Sequence, residues 1–384
     1  MPGDRLDTMP NPDLVVGAQG RESWNLAEHR RASFHRLHAI ARYGFSLRAP
    51  DVLRLGKNID RRITDMPAVR KLTETTIFSA MVVLRDTTVI FEKYAADFGP
   101  ADAHSVMSIS KTAINLIFGK LIDDGLIDTS ATIGEHLPEI GSGYAQATIR
   151  DVLNMNIVND YTEDYSDPET TALLHEAAMG WRLFPAGASD ITDREFLCTI
   201  ASDDLVNRSG EPQYKSANTD VLGWIAERVS GRGLRDHFID IVEAAGIEDT
   251  FYMSTDRAGV ANLNGGICMT ARDLARYGLI FARGGLGVHG ETVGSRAFIE
   301  ATRAGRGPRY PAPHDHVYYC NQMRSDGRWI GHGGWGGQFL LIDPDTRVVV
   351  VFFSVLENED ASDWDYQLET IAMAEAITRL PFDD

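Results

Sequence analysis

The sequence predicts an α/β fold: an antiparallel sheet formed by N- and C-terminal segments and flanked by helices, with a mainly helical domain inserted between them. Three observations carry this expectation. Strand-like runs lie towards both ends of the 384-residue chain, helix-like runs fill the stretch between them, and no apolar window is long enough to cross a bilayer. The composition, 43% hydrophobic and 24% charged, is that of an ordinary globular protein able to bury a large core, which excludes a disordered chain.

Residues 1–70 are polar and Arg-rich with short apolar clusters, the pattern of an irregular arm and a helix packed on the body. The runs 81–84 and 89–94, separated by Arg85-Asp86-Thr87-Thr88, read as a hairpin. Residues 112–118 continue a buried helix, 133–140 read as a loop and 149–155 as a short helix. A helix over 221–229 ends at Gly231, where glycine can take the left-handed cap, and one over 271–282 starts from Thr270 as N-cap. Residues 317–323, 329–330, 339–342 and 348–353 are strand-like, broken by Gly-rich and Asp-Pro turns, and a helix over about 363–380 closes the chain. The expected organisation is an arm over 1–70, an α/β domain from 71–125 and 300–384, and a helical domain over 126–299, with the site at the junction.

A formal net charge of -18 argues against nucleic acid as a partner, because phosphate backbones recruit basic surfaces. Residues 1–7 lack the apolar core of a signal peptide, so a cytoplasmic protein without membrane attachment is expected. Cys198, Cys268 and Cys320 are odd in number and widely spaced, which fits packing residues rather than a disulfide framework. No phosphate loop or dinucleotide fingerprint is present, and no cofactor is expected. Two stretches raise the question of a metal. Tyr161, Glu163, Asp164, Tyr165 and Asp167 lack the ligand run and glycine of a calcium loop and are read as a lid, and His314 and His316 are read as solvated loop residues, so no metal site is expected.

The most informative stretch is Met107-Ser108-Ile109-Ser110-Lys111. A serine and a lysine three apart on a helix share one face, and a lysine that is buried enough to lose its proton can serve as base to the hydroxyl. Taken alone, the pair also reads as a solvated helix face. Two further motifs add weight. Gln213-Tyr214-Lys215-Ser216-Ala217-Asn218 places a tyrosine, able to relay a proton, on a loop opening a helix; a half-buried aromatic beside an N-cap is the other reading. Gly331-His332-Gly333-Gly334-Trp335-Gly336-Gly337-Gln338 leads into a strand and allows close backbone approach to a ligand, or forms a Gly-rich bulge.

Together these motifs resemble the serine-reactive hydrolases of the penicillin-binding protein and class C β-lactamase superfamily, with Ser-x-x-Lys, Tyr-x-Asn (or Ser) and Lys-Thr-Gly. Residues 106–111, 160–168, 213–220, Asn264-Gly265-Gly266 and 270–274 resemble its 6-aminohexanoate-dimer (nylon-oligomer) hydrolase branch, over roughly residues 75–380. The resemblance implies Ser108 as nucleophile, Lys111 as its base and Tyr214 as proton donor to the leaving amine, with backbone N–H groups of Ser108 and Trp335 as the oxyanion hole. It implies Tyr165, Ser216, Asn264, His332 and Gly334 as substrate-binding residues. Ser216 stands in place of the β-lactamase asparagine and His332 in place of the lysine, which weakens the grip on a β-lactam.

The expected activity is hydrolysis of a small-molecule linear amide or ester through an acyl-enzyme. A β-lactamase or D-amino-acid peptidase is the alternative, and a binding protein on the same fold the second. Acidic residues near the mouth favour substrates with a free amine. The sequence leaves the oligomeric state open, a homodimer included.

Overall fold

The computed structural model describes Asp7, residues 18–165 and residues 167–382. The arm expected over residues 1–6 and 8–17, most of the signal-peptide reading, and Ser166 of the acidic stretch lie outside them.

Twelve strands are present among the described residues: β1 (Gly44–Leu47), β2 (Gly56–Lys57), β3 (Phe78–Arg85), β4 (Thr88–Tyr94), β5 (His104–Ser105), β6 (Phe251–Ser254), β7 (Ile267–Met269), β8 (Tyr318–Cys320), β9 (Met323–Ser325), β10 (Ile330–Gly334), β11 (Gln338–Asp343) and β12 (Val348–Ser354). Eight form one sheet in the order β2-β4-β3-β12-β11-β10-β9-β8, antiparallel except where β2 joins β4. The sheet therefore unites strands from both ends of the chain, with β3 against β12 at its centre.

The alternation of side chains along a strand, with both faces covered, explains why the central stretches of β3, β11 and β12 are unbroken apolar runs. Val82, Leu84, Val349, Val351, Leu340 and Ile342 face one way, into a core shared with Leu274 of the helix Ala271–Ala282. Met81, Val83, Val350, Phe352 and Leu341 face the other, against Ile371, Ala374 and Ile377 of the closing helix Trp364–Thr378. Both sheet faces are covered, so a polar residue on either face of β12 would be buried.

A second antiparallel sheet, β1-β6-β7-β5, explains part of the N-terminal region. Its strands come from the arm, from the approach to Ser108 and from the expected helical insertion, so the three stretches are tied together by backbone hydrogen bonds. The helix Ala27–Phe34 and the short helix Leu37–Ile40 bury Phe34, Leu37 and Ile40 beside Trp181 and Met107.

Two local expectations need correcting. Residues 317–323 are not one strand: Asn321 and Gln322 take φ of 50° and 62°, and this tight turn folds the run into the β8–β9 hairpin. Residues 133–140 are not wholly a loop, because Thr132 and Glu135 form a capping box that starts the helix Ile133–His136. The helix cap at Gly231 (φ 66°) and the Thr270 side chain accepting from Asp273 N–H match the sequence reading. No helix of the described residues is long and apolar enough to cross a membrane.

Candidate active site

Ser108 and Lys111 sit on a 3₁₀ turn, Met107–Lys111, that runs directly into the helix Thr112–Asp123. With three residues per turn, positions three apart eclipse one another, which is closer than an α-helix would bring them. The lysine Nζ lies 3.1 Å from Ser108 Oγ. It also donates to Ser216 Oγ (3.0 Å) and to the backbone carbonyl of Asn264 (2.6 Å). Met107, just before the nucleophile, has φ 46°, a conformation that stores roughly 1 kcal/mol or more of strain in a non-glycine residue.

Lys111 is 0% exposed. Burial lowers its pKa to about 8, against the pull of the Glu163 and Asp220 carboxylates, so an appreciable minority of the amine is unprotonated near neutral pH. The Tyr214 ring lies 5.2 Å from Nζ. Burial first, and then Glu163, push the Tyr214 phenol well above its ordinary range, while a hydrogen bond with Ser108 opposes them. Tyr214 is thus a neutral hydroxyl, able to give one proton and receive another, not a tyrosinate.

Strand β10 presses its end against the nucleophile turn. A side chain at Gly334 would bring Cβ to 2.5 Å from the Val106 carbonyl oxygen, so glycine is needed for this approach. Gly336 and Gly337 then turn the loop with φ of 90° and 102°. Ser108 and Trp335 both line a cavity of about 640 Å³, together with Glu163, Tyr165, Glu176 and Tyr214. Neither the Ser108 nor the Trp335 N–H donates to a backbone carbonyl among the described residues.

The remaining nominated residues separate. Ser216, Asn264, Tyr165 and Gly334 line the cavity. Tyr165 stacks on Trp335 at 5.2 Å and donates to Glu176 Oε1 (3.0 Å). The Asn264 side-chain amide is turned to the Asp220 carboxylate, and its carbonyl oxygen holds Lys111. His332 must be corrected: it is 0% exposed and does not line the cavity. Its Nε2 meets Tyr319 Oη at 3.2 Å and its Nδ1 the Gly333 carbonyl at 2.6 Å. Burial, helped by Arg324 and Lys111, holds its pKa well below the usual histidine range, so the ring is neutral and cannot replace a lysine as a cation. Arg324 is the cation that does line the cavity.

Other side chains at the site are given no role there by their position in the sequence, although Glu163 belongs to the acidic stretch read as a lid. Glu163 accepts the Ser216 N–H. Glu176, 5% exposed, accepts from Tyr165 and from Arg182 Nε (3.0 Å), and its pKa is raised by burial. Arg30 donates to the carbonyls of Leu356 (2.7 Å), Asn358 (2.6 Å) and Glu359 (3.1 Å) and lies over the Trp335 ring at 5.5 Å. That segment in turn holds the Gly-rich loop, through Gly336 N–H to Ala361 O and Trp335 Nε1 to Asp360 O. These three carbonyl partners of Arg30 are more than 320 positions away, beyond any spacing argument. Arg30→Met is expected to reduce kcat by about tenfold through misplacement of the Trp335 backbone, with KM changed little; steady-state kinetics on one ester substrate checks it.

Residues 69–372 match the family model described as beta-lactamase. The chain is also 36% identical over 372 residues, covering 92% of each partner, to a 6-aminohexanoate-dimer hydrolase from Paenarthrobacter ureafaciens. The chain belongs to the beta-lactamase family. Solved structures share its fold. A Bacillus anthracis protein provisionally assigned as a 6-aminohexanoate-dimer hydrolase superposes with a TM-score of 0.79 at 20% identity, covering 98% of this chain and 100% of that one. A D-stereospecific amidohydrolase from Streptomyces sp. gives 0.57 at 17% identity, covering 81% and 98%. As a beta-lactamase-family member related at 36% identity to the Paenarthrobacter ureafaciens hydrolase, the chain is a serine hydrolase.

Among the described residues, one group of side chains has the spacing of a metal site: His175, Asp193 and Asp220, all buried. His175 sits between the two carboxylates. His175 Nε2 lies 2.8 Å from Asp193 and 3.4 Å from Asp220, and Nδ1 lies 3.1 Å from Tyr161 Oη, which uses both ring nitrogens. His314 and His316 belong to no such group.

Proposed function

We propose that this protein hydrolyses linear amides and short carboxylic esters, 6-aminohexanoate-dimer-like amides among them, through an acyl-enzyme on Ser108. The observation that carries this reading is the buried Lys111 amine, hydrogen-bonded to Ser108 Oγ with a pKa near 8.

In the proposed sequence Ser108 Oγ attacks the carbonyl carbon and its proton passes to Lys111 Nζ. The resulting oxyanion is received by the N–H groups of Ser108 and Trp335. Tyr214 gives its proton to the leaving nitrogen or oxygen and is reprotonated by Lys111, so the carbonyl–heteroatom bond breaks, the proton that began on Ser108 departs with the leaving group, and Lys111 and Tyr214 return to their starting states. Water attacks the Ser108 ester and the same groups return the proton, releasing the acid. An ester asks less of Tyr214 than an amide does, since its leaving group needs less help from a proton.

Glu176 and Glu163 line the cavity, and Asp164, Asp360 and Asp363 join them, which supports substrates bearing a free amine at the far end from the scissile bond. Linear 6-aminohexanoate dimer is therefore expected to be cleaved faster than its N-acetylated form. Glu176→Gln is expected to raise KM for the free-amine dimer about tenfold and to leave KM for a nitrophenyl ester within about twofold; parallel kinetics on the two substrates decides it.

A β-lactamase or D-amino-acid peptidase is the second reading, favoured by Arg324, a cation in the cavity able to face a substrate carboxylate. Nitrocefin and a D-alanyl peptide, assayed beside the dimer and the ester, separate the two. The substrate is the partner we propose, without nucleic acid or membrane. A cytoplasmic setting is supported by three unpaired cysteines, two of them buried.

A further inference from the structure

Behind Lys111 lies a buried polar group to which the proposed reaction assigns no part. Asp220 stands on the helix Ser216–Ser230, one turn after Ser216. Its carboxylate accepts both the backbone N–H of Asn264 (3.2 Å) and the Asn264 side-chain amide (2.5 Å). The same Asn264 offers its carbonyl oxygen to Lys111 Nζ at 2.6 Å. One residue thus connects the carboxylate to the catalytic amine by hydrogen bonds at opposite ends.

On its other side Asp220 meets His175 Nε2 at 3.4 Å, shared with Asp193 at 2.8 Å. The side chains of all three are 2% exposed. Charges so placed are weakly screened, and a carboxylate there persists only with partners.

We propose that Asp220, held by His175, is a positioning residue for the hydrolytic reaction: it fixes the Asn264 carbonyl on Lys111 and sets the charge that the amine feels. The inference rests on the reading of Lys111 as base. Burial alone favours a neutral His175, yet the bonds to Asp193 and Asp220 overcome it and raise the ring to about 9, so it is an imidazolium at neutral pH. Burial and then Asp220 raise the Asp193 carboxyl. Lys111 faces Asp220 from behind Asn264, Glu163 from the lid, Ser216 and Tyr214 from the start of the long helix, and His332 from β10. Only Glu163 and Asp220 among these bring negative charge, and both raise its affinity for the proton.

The two sides of the network act with opposite sign. Asp220→Asn removes a negative charge near Lys111, so the amine releases its proton more readily. His175→Gln removes the positive charge that compensates Asp220, so the amine holds its proton more tightly. The test is the pH dependence of kcat/KM for a nitrophenyl ester, with melting temperature and circular dichroism taken alongside. In the wild type an acid limb near pH 8 is expected. Asp220→Asn is expected to move it down by roughly 0.5–1 unit, with kcat on the plateau falling by up to about tenfold, and His175→Gln to move it up. Limbs that stay at the wild-type position in both folded variants overturn the proposal, whatever the loss of rate, because a packing role lowers rate and melting temperature without moving the limb. Where only one variant folds, its direction of shift decides. Failure of both to fold also overturns it, the network then holding the fold rather than tuning the amine. A wild type with no acid limb would instead remove Lys111 as base, the reading beneath this one.

Discussion

Ser108→Ala is expected to lower amide and ester turnover by about 10⁴-fold or more and to abolish covalent labelling by a fluorophosphonate. The specificity of this loss is the informative part, because Lys111 touches two hydroxyls at nearly equal distance, Ser108 Oγ at 3.1 Å and Ser216 Oγ at 3.0 Å. Their surroundings differ. Ser108 stands beside the end of β10, in a position where, among the described residues, no backbone carbonyl accepts from its own N–H or from that of Trp335. The N–H of Ser216 is occupied by the Glu163 carboxylate, so an oxyanion formed there would meet a like charge instead of a donor. Ser216→Ala is accordingly expected to keep labelling at Ser108 and to lose far less rate. Label mapped by mass spectrometry to Ser216 in the wild type would reverse the assignment.

The second large effect is expected from Lys111→Met, which keeps an unbranched, apolar chain in the buried space and deletes the base. A fall in kcat/KM of about 10³–10⁴-fold is expected, measured on the same ester. Stability is expected to respond the other way. The folded-state pKa of Lys111, about 8, lies below its ordinary 10.5, so the unfolded chain binds this proton more tightly. The penalty is fully present below pH 8 and fades as pH rises towards 10.5. Deleting the amine removes it, and a melting temperature at pH 7 no lower than that of the wild type is expected, the usual relation between a strained catalytic group and stability. Thermal unfolding of the two proteins at pH 7 and pH 10 checks the sign: the variant's advantage should shrink at the higher pH.

The sheet was legible because β3, β11 and β12 are buried on both faces and so appear as unbroken apolar runs, which periodicity alone can detect. The β8–β9 hairpin was not, since its turn residues Asn321 and Gln322 lack the glycine that usually marks a left-handed turn. The three-residue spacing of Ser108 and Lys111 carried the core of the site. What it could not carry was the choice of a 3₁₀ turn over an α-turn, or the close approach of β10 through Gly334 to Val106. His332 was misjudged because its motif position says nothing about what covers its ring: Tyr319 and Tyr214 pack against it and leave it no exposed surface. Arg30 reaches the Leu356, Asn358 and Glu359 carbonyls, which only the fold brings to it, and Asp220 needed the placement of Asn264 to acquire a meaning.

The claim on which the mechanism depends is that a dry amine, largely but not wholly protonated at neutral pH, deprotonates Ser108. The rate of Ser108 phosphonylation by a fluorophosphonate, followed from pH 6 to pH 10 with Ser108→Ala as blank, tests it without involving leaving-group protonation of a natural substrate. The rate should climb about tenfold per unit at low pH and level off above about pH 8, where the amine is neutral. A rate that is flat across this range, or that is retained in Lys111→Met, would contradict the account.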